Sequence, residues 1–139
     1  MQRIFVISTR GAGLYEFTQD IRKFCGPLGT GLLTLFVRHT SCSLLIQENA
    51  DPEVRDDLAE FLRRLVPDAD DASMRWLRHT YEGPDDMPAH IKAALLPVSI
   101  SIPVAEGRPA LGTWQGVYLF EHRRAPHDRQ VVAHFVRST

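Results

Sequence analysis

The segment from His79 to His90, His-Thr-Tyr-Glu-Gly-Pro-Asp-Asp-Met-Pro-Ala-His, sets two imidazoles and three carboxylates among turn-forming residues. Such groups titrate, ligate metals and accept protons, and a loop that only connects two elements needs none of them. Asp85 or Asp86 is placed to accept hydrogen bonds from first-turn amides, and Pro88 suits a first-turn position. The segment therefore ends as a helix start, with His90 on the opening turn of a helix running through Ile91, Ala94 and Leu95. The positive end of that helix is a natural seat for phosphate.

Further reactive groups gather at His39-Thr40-Ser41, at Asn49 and at Glu121-His122-Arg123. If His39, His79 and His90 converge, they make an open metal site of the zinc type, three protein ligands leaving one position free. Their spacing matches no standard zinc signature, and the alternative is isolated histidines bonded to carbonyls, the role assigned to His127 and His134. Arg123, near Ser41 and a helix N-terminus, suits a phosphate or carboxylate; its alternative is a surface ion pair with Glu121. Ser41 as a nucleophile is disfavoured, because no G-x-S-x-G elbow surrounds it. The glycines of Gly112-Thr-Trp-Gln-Gly116 suit a close approach of subunits or ligand, although a core Trp beside a turn explains Trp114 equally well.

Strands and helices must hold these groups. Residues 3–8 alternate as a strand, and Thr18 caps a short helix carrying Ile21 and Phe24 that Gly26-Pro27 stops. The apolar runs 32–37 and 42–46 flank a polar corner at Arg38–Ser41. Asp51 caps the clearest helix, with Pro52 in its first turn and Val54, Leu58, Phe61, Leu62 and Leu65 along one face. Asp68–Ser73 reads as a solvent-exposed acidic loop. After the helix that follows His90, Val98–Val104 alternates as an edge strand marked by Pro103, Glu106–Pro109 turns, and strands over 117–123 and 129–136 close the chain. Strands grouped with three helices predict an α+β protein, one domain over residues 1–139.

Composition narrows the function. Apolar residues make up 44% and charged residues 24%, which is globular. A net charge of −1 argues against nucleic acid or an anionic membrane as partner. Cys25 and Cys42 lack metal-type spacing and read as buried free thiols, and no apolar run resembles a signal peptide or membrane span, so the expected location is cytoplasmic.

Taken in order, His39-Thr-Ser-Cys-Ser-Leu, Glu48-Asn-Ala-Asp-Pro52, the span His79–Lys92, Gly112–Gly116 and Glu121-His-Arg123 are specific in combination. Over nearly its whole length the chain resembles the YjbQ family, small bacterial and archaeal proteins known as secondary thiamine-phosphate synthases. The segment from Arg124 to Arg129 matches less closely. The resemblance implies an α+β fold with a mixed sheet, a homotrimer with clefts near subunit boundaries, and a weak transferase activity. That activity joins a hydroxymethylpyrimidine diphosphate to a thiazole phosphate and releases pyrophosphate. The positions it carries over are His39, His79, Glu82, His90 and Arg123 as catalytic, with Asn49 and Asp51 as further binding positions beside Ser41. A divalent cofactor, zinc or magnesium, is expected at the histidines, and a small phosphorylated metabolite is the expected ligand. The alternatives are a metal-dependent hydrolase with Glu82 as base and a non-enzymatic trimer that binds such a metabolite.

Overall fold

A computed structural model describes all residues, Met1–Thr139. Eight strands and three α-helices follow one another: β1 (Gln2–Thr9), β2 (Gly13–Glu16), α1 (Thr18–Cys25), β3 (Gly31–Val37), β4 (Cys42–Glu48), α2 (Pro52–Leu65), α3 (Asp86–Leu95), β5 (Ser99–Ala105), β6 (Arg108–Pro109), β7 (Gln115–Glu121) and β8 (His127–Arg137). One 3₁₀ turn at Ala72–Met74 lies between α2 and α3. The chain is thus an α+β domain with three α-helices, as the sequence predicts. Its strands form two sheets, ordered β1-β8-β3-β5-β6 and β2-β7-β4, and every ladder is antiparallel where one mixed sheet was expected.

The period-2 pattern explains the packing. Leu33, Leu35 and Val37 of β3 and Phe5 of β1 turn inward toward Leu44, Val117 and Leu119 of the smaller sheet, and Ile21, Phe24 and Cys25 of α1 join the same core. Each side chain fully buried there contributes about 1.5–3 kcal/mol. The opposite face of the larger sheet is exposed yet partly apolar, carrying Ile4, Val6, Leu32, Phe36 and Val136. Register places Ile4, Val132 and Phe36 side by side across three strands. Both cysteines are buried free thiols. No helix is long and apolar enough to cross a membrane.

Three local expectations change. Thr18 opens α1 but does not cap it: its hydroxyl donates to Glu16 and accepts from the Val117 amide. Asp51 does cap α2, accepting from the Glu53 amide at 2.9 Å, but of the helix's apolar stripe only Leu62 is buried, and Phe61 and Leu65 face solvent. The segment Gly13–Glu16, for which the sequence pattern predicts no element, is a strand paired with β7.

Strand β5 borders on the sheet edge, since β6 covers only Val104 and Ala105. The hairpin between them has two loop residues, Glu106 and Gly107, both with positive φ (50° and 76°), which is the backbone a tight antiparallel turn requires. A Cβ at Gly107 would stand 2.4 Å from the Gly26 carbonyl oxygen, whereas one at Gly26 meets nothing closer than 3.6 Å. Gly107→Ala should therefore lower stability by about 1–3 kcal/mol in a denaturant melt. Gly26→Ala, in a helical conformation, should leave it level or raise it. Equal melts for the two variants would remove the turn as a constraint.

Candidate functional site

The site is built where the loop before α3 meets the end of β7. Asp86 opens α3 and His90 follows it by four residues, one helical turn, so both side chains share a face. The Nε2 atom of His79 lies 2.9 Å from Asp86 Oδ2 and 2.8 Å from Glu82 Oε2. His90 Nε2 approaches the same Asp86 oxygen at 3.3 Å. The ligating atoms of His79, Asp86 and His90 all lie within 4.8 Å of one another.

This cluster is short of protons. His90 donates from Nδ1 to the Thr40 carbonyl at 2.8 Å, so its neutral tautomer presents a bare lone pair on Nε2 to a carboxylate. His79 Nε2 faces two carboxylate oxygens with at most one N–H to give. Either extra protons or a cation must occupy the space between these acceptors. Where a proton on His90 fills that space instead of a cation, the hydrogen bond from His79 and the charges of His90 and Arg123 outweigh burial and hold the Asp86 carboxyl below the usual carboxylate range.

The expected residues come together only in part. His79, Glu82 and His90 meet, and Asp86, read from sequence as a helix cap, takes the place given to His39. Neither Asp85 nor Asp86 caps α3, because their carboxylates are taken by Arg123. His39 accepts a hydrogen bond on Nε2 from the Gln130 amide at 2.8 Å, which removes that nitrogen from any shared metal. Burial and then the charge of Arg129 lower its imidazole, consistent with a neutral acceptor. His39 and His90 instead border one groove of about 570 Å³ along Phe36, Ala93, Ala94 and Val98.

Arg123 is neither a free phosphate fork nor the surface partner of Glu121. Its guanidinium donates to Asp86 Oδ1 at 2.6 Å, to Asp85 Oδ2 at 3.2 Å and to the Glu82 carbonyl at 3.3 Å. It positions the loop and aims Asp86. Ser41 is buried, and its hydroxyl accepts from Arg129 at 2.9 Å. Asn49 and Asp51 lie beyond the opposite end of β4 from Ser41, about 20 Å away along a seven-residue strand. There Asn49 bonds Glu16 and the Trp114 carbonyl, and Asp51 caps α2. Within one chain they do not join the histidines. His127 bonds the Ala125 carbonyl, and His134 the Gln2 side chain.

Sequence reading passed over two groups. Asp86 and His90 were visible as a helical i,i+4 pair of ligand types, had Asp86 not been read as a cap. The buried pair of Glu121 and Arg129 had no local signal, since its partners sit on strands of different sheets, β7 and β8.

Beside the cluster, His122 is buried with its Nε2 2.9 Å from the Ser43 hydroxyl. Burial, with the Lys92 charge adding, pushes its imidazole down to about 3. An unfolded histidine takes its proton near pH 6.5. Between about 6.5 and 3 the unfolded chain thus holds a proton that the folded one refuses. The contribution is fully present above about pH 6.5 and falls by up to about 1.4 kcal/mol per unit as pH drops. His122→Gln keeps a partner for Ser43 and should flatten the stability slope between about pH 6.5 and 5 by that one proton. Denaturant titrations at stepped pH measure this, and parallel slopes for both proteins would refute it.

Comparison with known proteins places this geometry in a family. The family model of UPF0047 protein YjbQ-like matches residues 2–138. The UPF0047 protein sll1880 of Synechocystis is 53% identical over 135 residues, covering 96% of this chain and 89% of the relative. The UPF0047 protein YjbQ of Salmonella typhimurium is 44% identical, with 95% and 94% of the two chains covered. Among solved structures, the conserved hypothetical protein TT1486 of Thermus thermophilus superposes with a TM-score of 0.83 at 33% identity, over 96% of this chain and 99% of that one. The hypothetical protein APE1520 of Aeropyrum pernix gives 0.85 at 26% identity, over 99% of each.

Proposed function

Since the chain belongs to the UPF0047 family of YjbQ-like proteins, we propose from its site that it is a divalent-metal-dependent enzyme acting on a small phosphorylated metabolite, with His79, Asp86 and His90 as the metal ligands. The carrying observation is the proton deficit: His90 Nε2 and His79 Nε2 converge on carboxylate oxygens with too few N–H groups to satisfy them. Two imidazoles with one carboxylate suit zinc better than magnesium, which prefers oxygen ligands. The His90 Nδ1 bond to Thr40 and the Arg123 bond to Asp86 are the outer contacts that aim such ligands.

When bound, the ion supplies Lewis acidity toward a phosphate oxygen or a water. The reading is hydrolytic. Glu82, half in solvent beside His79, takes a proton from the attacking water as the P–O bond opens, and the departing oxygen is protonated from solvent. Arg123 acts as a positioning residue, since its donors are already committed to Asp85, Asp86 and Glu82.

A second reading, thiamine-phosphate formation, is favoured by one observation: the whole span His79–Lys92 that carries the family resemblance forms this cluster and the helix behind it. In that reaction the leaving pyrophosphate needs positive charge, which the committed Arg123 does not offer and the ion would. The protein works in this account as a cytoplasmic homotrimer without nucleic-acid or membrane partners. Its net charge of −1 and the apolar stripe of Ile4, Val6, Leu32, Phe36 and Val136 support that reading.

Untagged protein should take up one zinc per chain by calorimetry. His79→Ala, Asp86→Asn and His90→Ala should each weaken it by about tenfold or more, with His39→Ala unchanged. Full zinc affinity in all three variants would sink the site. Turnover of a phosphoester panel against the two thiamine precursors then separates hydrolysis from transfer. Sedimentation should return three times the 15.7 kDa chain mass, and a single-chain mass at micromolar concentration would overturn the trimer.

A further inference from the structure

On the other side of α3 from the histidines, a cavity of about 310 Å³ opens between α2, α3 and the end of β7. We infer that this cavity is a second ligand site, for a small oxyanion, whose donors are the Lys92 ammonium and the Nδ1–H of His122. The site does not depend on the metal reading, because Asp86, His79 and His90 take no part in lining it.

Hydrogen-bond accounting sets the His122 tautomer. The ring lines the cavity but is 97% buried, being 3% exposed. Its Nε2 is turned back onto Ser43, a fully buried hydroxyl for which His122 is the one side-chain partner at 2.9 Å. A buried hydroxyl needs an acceptor for its proton, so Ser43 donates and His122 carries its own proton on Nδ1. That N–H has no acceptor in the protein. An acceptor supplied from the cavity completes it.

Pairing around the cavity leaves Lys92 as the one lining cation without an acidic partner. Asp85 is held by Arg123 and by the Arg124 amide, Asp68 by Arg124, and Glu60 by Arg63 and Arg64. Glu121 is consumed by Arg129. Lys92 is half-buried and has no carboxylate within ion-pair distance, and among the acids only exposed Asp56 stays uncommitted. Lys92 and His122 both line this cavity, one from α3 and the other from the end of β7. A free ammonium and a free imidazole N–H at one cavity are the complement of a carboxylate or phosphate oxygen pair. Residue choice fits as well: only Lys23 and Lys92 are lysines among sixteen Lys and Arg residues. A compact ammonium with three rotatable donors meets an oxyanion as a point charge from any side.

The test uses metal-free full-length protein titrated with inorganic phosphate, acetate or chloride at constant ionic strength, read by calorimetry and by the imidazole nitrogen signals of His122. Phosphate or acetate should bind saturably and move the Nδ1 signal, and the tighter of the two names the oxyanion class. Lys92→Gln, at a half-buried position with no ion pair to lose, should keep the melting temperature and weaken binding at least tenfold. His90→Ala should bind as the wild type does, which separates this cavity from the metal cluster. Wild-type affinity in Lys92→Gln, or equal responses to chloride, would overturn the site.

Discussion

The carboxylate of Glu121 holds the functional end of the molecule together. It is completely buried at the end of β7, and three segments converge on it: Thr9 of β1 donates at 2.7 Å, Arg129 of β8 at 2.7 and 2.5 Å, and the His122 and Arg123 amides of the following loop at 3.1 and 3.2 Å. Arg129 reaches on to the Ser41 hydroxyl before β4. Burial works against the charged form, and the hydrogen bonds from Arg129 and Thr9 overcome it, so the pair is held ionised on both sides. Breaking a buried pair of this kind costs about 3–5 kcal/mol, because the remaining charge has no solvent to turn to. No ladder joins the two sheets, and the ion pair between β7 and β8 ties their corners here.

From that anchor the order of the site follows outward. The amides of His122 and Arg123 bind Glu121, which sets the path of the chain as it leaves β7. The path sends the His122 ring back under Ser43 and the Arg123 guanidinium across to Asp85 and Asp86. Arg123 fixes the directions of the two aspartates at the head of α3 together with the Arg124 amide on Asp85 and His79 on Asp86. Asp86 then faces the imidazoles and Asp85 stays with the arginines. The reactive cluster is thus carried by a relay of charge pairs whose first member never touches it.

What the chain discloses before folding depends on the range of the signal. Asp51 followed by Pro52 is a cap read from adjacent residues, and it stands in the structure as expected. The density of ligand types between His79 and His90 is equally local, and the cluster sits there. Long-range facts were hidden. Arg123 looks like an anion fork because nothing nearby in sequence pairs with it, and its real partners lie 37 and 38 residues earlier. His39 has the right residue type, but the Gln130 amide that occupies its nitrogen is 91 residues away. Asn49 and Asp51 are close to Ser41 along the chain and far from it in space, because an extended strand separates them. The stripe on α2 misled for the opposite reason: helical spacing shows which face is apolar, not whether anything in the chain covers it, and Phe61 and Leu65 remain uncovered.

The two adjacent aspartates also explain how one short segment faces two different surroundings. Successive residues at a helix start point about 100° apart. Asp86 therefore shares its face with His90 one turn on, while Asp85 shares its side of the helix with Lys92, two turns on. Arg123 lies between them and bonds both through one rigid planar group. A ligand drawn to Lys92 would compete for the field of Asp85, the carboxylate whose charge already acts on that amine. The helix start, the arginine and the paired acids form one mechanical unit with a histidine cluster on one side and a lysine cavity on the other.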